Sequence, residues 1–75
     1  MFNDDTLAAL EAARIRSRSK LIAEGRTQGG YFAAYETPEG SFPTVCRHKA
    51  TIGVDYWLTK RAALVQCAEF LKVNA

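Results

Sequence analysis

Between Leu7 and Glu24 no proline or glycine interrupts the chain, and small or branched side chains recur at Ala8, Ala12, Ile15, Ser19 and Ile22, spaced four, three, four, three, with Leu7 and Leu10 on the flank. That period belongs to a helix presenting one narrow face. Ahead of it, Asn3-Asp4-Asp5-Thr6 gathers N-cap residues and acids where a helix dipole favours them. With Asn3 as the cap, Phe2 and Leu7 take the two positions of a hydrophobic staple, and Gly25 is the expected C-terminal stop. The pattern thus predicts a first helix running to Glu24, with a seam of small residues that lets a neighbour approach closely.

Past Arg26-Thr27-Gln28-Gly29-Gly30, read as a flexible link, the period shortens to two. Tyr31 to Glu36 and Phe42 to Lys49 flank Thr37-Pro38-Glu39-Gly40, where proline and glycine hold the second and fourth places of a type I turn. This is the signature of a β-hairpin. A turn closing across Thr37 and Gly40 sets Tyr35 against Phe42, Ala33 against Thr44 and Tyr31 against Cys46, and Phe32 against Val45 on the other side. The strand charges fall with Phe32 and Val45, so the tyrosine side is the expected core side, although a one-residue slip inverts it. Pro43 cannot donate to a ladder, which places it near an edge or at a bulge. Thr51 to Val54 offers a short third strand weakened by Gly53. Thr59 then caps a second helix over about 60–73, with Ala63, Leu64, Cys67, Ala68, Phe70 and Leu71 as its apolar face.

The expected class is therefore α+β: helix, two- or three-stranded antiparallel sheet with the hairpin at 31–49, helix, in two layers with both helices on one sheet face. One domain spans residues 1–75. A hydrophobic share of 48% against 24% charged residues removes disorder from consideration. A chain of 75 residues buries only about 60% of its unfolded surface. So small a core leads us to expect self-association as a weak homodimer, or a protein partner.

Two cysteines are too few for a secreted disulfide scaffold, and Met1-Phe2-Asn3-Asp4-Asp5 has no basic-then-apolar signal pattern. The expected compartment is the cytoplasm. No apolar run approaches the roughly 18 residues of a membrane span, so no membrane partner is expected.

Cys46 and His48, two apart on one strand, are the one thiol and imidazole pairing the chain offers. No third group is placed to orient the histidine and no oxyanion turn follows, so no catalytic residue is assigned and the chain is not expected to be an enzyme. Zinc would need Cys46, His48, Cys67 and a fourth ligand, and Cys67 belongs to an apolar helix face. The glycines do not form a phosphate loop and the carboxylates Glu36 and Glu39 sit at a turn. No metal or cofactor is expected.

The net charge of +2 is nearly balanced, but Arg14, Arg16, Arg18 and Lys20 cluster without an acid. In a continuous helix Arg14 and Arg18 flank one edge of the seam, and Arg16 and Lys20 lie nearly opposite it. Phe32, Val45, Arg47 and Lys49 make a second candidate patch, an aromatic beside arginine on the outer sheet face. These eight residues are the candidate partner-binding set. The helix, strands, helix order and the basic opening Thr59-Lys60-Arg61-Ala62-Ala63 of the last helix resemble a double-stranded-RNA-binding domain. That resemblance implies an αβββα arrangement gripping phosphates through Lys60 and Arg61, although Pro38-Glu39-Gly40 holds an acid where the family's loop contributes a histidine. The leading expectation is a non-enzymatic protein-binding module, a small inhibitor or adaptor such as a phage or mobile-element antagonist of a host defence or regulatory complex. Nucleic acid is the less favoured partner.

Overall fold

A computed structural model describes residues 4–49 and 51–74, with the side chains of residues 4, 5 and 74 left aside. The elements run α1 (Asp4–Arg18), β1 (Lys20–Thr27), β2 (Gly30–Glu36), β3 (Phe42–His48), β4 (Thr51–Trp57) and α2 (Lys60–Asn74). The chain is α+β, as its pattern indicates, and its antiparallel sheet has the order β1-β2-β3-β4. Four strands replace the expected two or three. The Asn3 cap and the Phe2 staple lie outside the described residues.

The extra strand is cut from the predicted first helix. Ser17 turns its hydroxyl back to the Arg14 carbonyl at 3.0 Å, a local bond by which serine competes with helical pairing, and α1 stops at Arg18. Lys20–Thr27 then pairs along β2, from Lys20 with Glu36 to Thr27 with Gly30. Leu21, Ile22 and Ala23 suit helix or strand alike, and the ladder decides between them. Gly25 is no helix stop: it lies within β1, where Leu71 of α2 packs against it.

At the second hairpin the turn forms as predicted, with the Gly40 amide donating to the Thr37 carbonyl at 3.0 Å. Gly40, however, has φ 89°, and the Thr37 amide donates to the Ser41 carbonyl at 3.0 Å. That left-handed glycine adds one residue to the loop. The register moves by one, so that Phe32 pairs with Cys46 and Ala33 with Val45. Pro43 is accommodated because the β2–β3 pairing ends at Ala34 and Thr44, leaving β4 as its paired neighbour.

The helices lie on opposite faces, giving three layers instead of two. On one face Ala12 and Ile15 of α1 pack with Ala33, Tyr35 and Val45, flanked by Tyr31, Ile52 and Val54. On the other, Ala63 and Cys67 of α2 pack with Phe32 and Ala34, flanked by Ile22, Trp57, Phe70 and Leu71 among others. The cause is the composition of β2, where Phe32 to Tyr35 are all apolar and all buried. A strand apolar on both sides needs cover on both. The Phe32 and Phe70 rings, 5.4 Å apart, join sheet to helix within the second core. The αβββα arrangement that the resemblance implies is not adopted, since there is a fourth strand and the helices do not share a face.

Thr59 caps α2 as expected, accepting the Ala62 amide on its hydroxyl at 3.1 Å. The buried stripe is narrower than the sequence indicates, because Leu64 and Ala68 are exposed. Among the described residues no helix is long and apolar enough to cross a membrane. The helices are also offset: α1 lies closest to β4, whereas α2 lies mainly over β1 and β2. The α1 side of β1 is thus left open, with Leu21, Glu24 and Arg26 exposed, while Ala33 and Tyr35 of β2 are buried beside α1.

Candidate functional site

On that open side the register aligns Arg26 of β1, Tyr31 of β2 and Arg47 of β3 in one row. Directly opposed residues of antiparallel strands share a face, with Cβ atoms about 5 Å apart. Tyr31 packs at the margin of the α1 core, which fixes the row on the α1 side. From α1, Arg16 reaches the same ring and donates from Nη2 to Tyr31 Oη at 3.3 Å. Three arginines from three separate elements surround one tyrosine, and all three are exposed.

Arg47 is steadied by the adjoining turn. Its Nε donates to the Lys49 carbonyl at 3.2 Å, and the Lys49 amide donates to the Gly29 carbonyl at 2.8 Å, tying the β3–β4 turn to the β1–β2 turn. Lys49 holds this position with φ 58°, in the left-handed region.

From the arginine row an open cleft of about 470 Å³ follows β1 and β2, lined among others by Arg16, Leu21, Glu24, Arg26, Tyr31 and Tyr35. Its rows are set by register: Arg26 with Tyr31, then Glu24 with Ala33, then Leu21 with Tyr35. The lining therefore passes from cationic to anionic to apolar. The Tyr35 hydroxyl above all, and Tyr31 beside it, hold the Arg16 guanidinium above its ordinary pKa against the opposing effect of partial burial. Such a cleft binds. It offers fixed cations and phenol hydroxyls to an anionic group and carries no activated nucleophile.

The predicted basic cluster is divided by the fold. Arg16 enters the cleft, while Arg14 and Arg18 line a recess on the other flank of α1 with Pro38, Glu39 and Tyr56. Lys20 lies in β1 opposite Glu36, so its expected helical pairing with Arg16 does not exist. Arg47 and Lys49 are exposed. Phe32 and Val45 are not a surface patch: they are 5% and 1% exposed and lie in separate cores on opposite faces. The register shift, with a helix over each face, removes them from the surface. Leu21, Glu24, Arg26, Tyr31 and Tyr35 are cleft residues outside the set expected from the sequence. Their signal is the same-face spacing of Glu24 and Arg26, visible once Lys20–Thr27 is read as a strand.

Cys46 is half-buried beside Gly53, and its pKa is raised by burial first and then by Asp55, against a backbone hydrogen bond from Gly53 that lowers it. Cys67 is buried, and burial raises its pKa as well. Both thiols are free, and burial disfavours the thiolate in each. His48 is exposed, beside Gly29. Among the described residues no three His, Cys, Asp or Glu side chains are grouped to hold a metal ion. Comparison with protein-family models, with curated proteins and with solved structures finds no match to this chain.

Proposed function

We propose that this chain is a non-enzymatic protein-binding module, a small inhibitor or adaptor, that engages its partner through the cleft between α1 and β1. The convergence of Arg16, Arg26 and Arg47 on Tyr31 carries the reading. Arginine and tyrosine are among the side chains enriched in interface hot spots, and here exposed Arg16, Arg26 and Arg47 neighbour the half-buried Tyr31. A cytoplasmic setting goes with this reading, because the two cysteines are free thiols.

The test is capture of a partner from host lysate by the tagged chain and its charge reversals. Arg16→Glu or Arg47→Glu abolishes capture, Arg14→Glu or Arg18→Glu leaves it intact, and melting temperatures stay within a few degrees of the parent. Equal losses from both pairs would refute the cleft as the interface.

A second reading has one observation in its favour: a tyrosine ringed by arginines also suits a base stacked between phosphates. Glu24 inside the cleft opposes it, since it repels a phosphate chain. Fluorescence anisotropy with single-stranded and duplex probes at two salt concentrations separates the two. Salt-steep binding lost in Arg26→Glu would favour nucleic acid.

A further inference from the structure

Resting on the protein-binding reading, we infer that the occupant of the cleft is an extended segment of the partner bearing an acidic, a basic and an apolar side chain at successive alternate positions. Tyr31, Ala33 and Tyr35 alternate along β2 and define three rows. Rows two residues apart on a strand are spaced by about 7 Å, which is also the interval between same-side side chains of an extended peptide. A bound strand running over the exposed β1 side of the cleft therefore presents one side chain to each row.

The chemistry of the rows dictates what those side chains are. Arg26, Arg47 and Arg16 around Tyr31 take a carboxylate, with guanidinium forks suited to bidentate contact. The middle row has exposed Glu24 beside the buried Ala33, so its one accessible charge is the Glu24 carboxylate, which takes a lysine or arginine. The last row has Leu21, 45% exposed, beside the buried Tyr35, and Leu21 is the apolar contact for an aliphatic side chain. A uniformly acidic segment meets repulsion at Glu24, and a uniformly basic one meets it at the arginines. Alternation of charge is what this surface selects.

The experiment is an NMR titration of the isotope-labelled chain with two short peptides. Both carry glutamate at the first alternate position and leucine at the third, with serine between; the middle position is lysine in one and glutamate in the other. The lysine peptide should shift amide signals of residues 21–26 and 31–35 and bind about fivefold more tightly than its counterpart, as one exposed charge contact allows. Exposed Glu24→Lys should reverse that order, and Arg16→Glu should weaken both peptides. Absence of shifts at millimolar peptide, equal affinities, or an unchanged order in Glu24→Lys overturns the inference. If the peptides fail while Arg16→Glu still abolishes lysate capture, the inference alone falls. If a single-stranded oligonucleotide occupies the same residues more tightly than either peptide, the protein-binding reading falls with it.

Discussion

The two methyl carbons of Leu71 occupy the space that a side chain on Gly25 would need, since a Cβ built there lies 2.6 Å from each. Helix α2 is seated on β1 at this point, and the missing side chain permits the approach. Gly25→Ala should therefore destabilise the fold by about 1–3 kcal/mol through overpacking. In urea titrations Leu71→Ala should be destabilising alone yet partly rescue Gly25→Ala, because the two share one space. Gly30 provides the contrast: a Cβ there falls 1.7 Å from the Arg47 carbonyl oxygen, which is backbone and cannot withdraw. Gly30→Ala should be the costlier change and should be rescued by no side-chain truncation.

Trp57 Nε1 donates to Thr44 Oγ1 at 3.0 Å, and Thr44 is buried. Thr44→Val keeps the shape and removes the acceptor. The expected loss is about 1–2 kcal/mol in denaturant midpoint measurements, for an indole donor left without its partner. Thr44→Ser, which restores the oxygen, should recover most of it. The single tryptophan lets fluorescence follow the transition.

Lys49 has φ 58° with a side chain that disfavours it. Lys49→Gly should raise stability by about 1 kcal/mol, read as a higher melting temperature, while Lys49→Val should lower it. The first variant also keeps the Lys49 carbonyl that holds Arg47, so binding through the cleft should persist.

Cys46 and Cys67 both have raised pKa values, chiefly through burial. A group that holds its proton more tightly when folded gives stability that is intact below the unfolded thiol range, near pH 8.5, and is lost as pH climbs toward the higher folded value. Chemical denaturation from neutral to alkaline pH should show that decline, and Cys46→Ser should flatten it. At neutral pH Cys46 should alkylate more slowly than a cysteine in a short peptide, with Cys67 reacting only on unfolding. Rapid labelling of Cys67 in the native protein would contradict its burial between α2 and the sheet.

The helix-boundary signal that proved right has a local cause, Thr59 accepting the Ala62 amide at the start of α2. The Thr37 to Gly40 turn was legible for the same reason. What followed it was not: whether Gly40 continues the strand or adds a left-handed residue is invisible in the letters, yet it decides whether Phe32 and Val45 share a face. Lys20–Thr27 was misread because Leu21-Ile22-Ala23-Glu24 serves helix and strand equally, and the choice rests on a ladder to distant residues. The candidate site inherits both errors, since the cleft needs β1 as a strand and the arginine row beside it needs Arg47 opposite Tyr31. The basic character of Arg16 and Arg47 was readable; their convergence was a property of register.

Arg16 belongs at once to helix and to cleft. Among the described residues of α1 only Ala12 and Ile15 are buried. With so slight an anchorage, the helix stays seated partly through polar contacts, Arg16 to Tyr31 and Glu11 to the Tyr56 hydroxyl. A ligand that grips the guanidinium of Arg16 favours the docked helix over the lifted one, so occupancy and helix seating become a single linked equilibrium. Protection of the α1 amides from solvent exchange then reports, at a distance from the cleft, how much of the protein is bound.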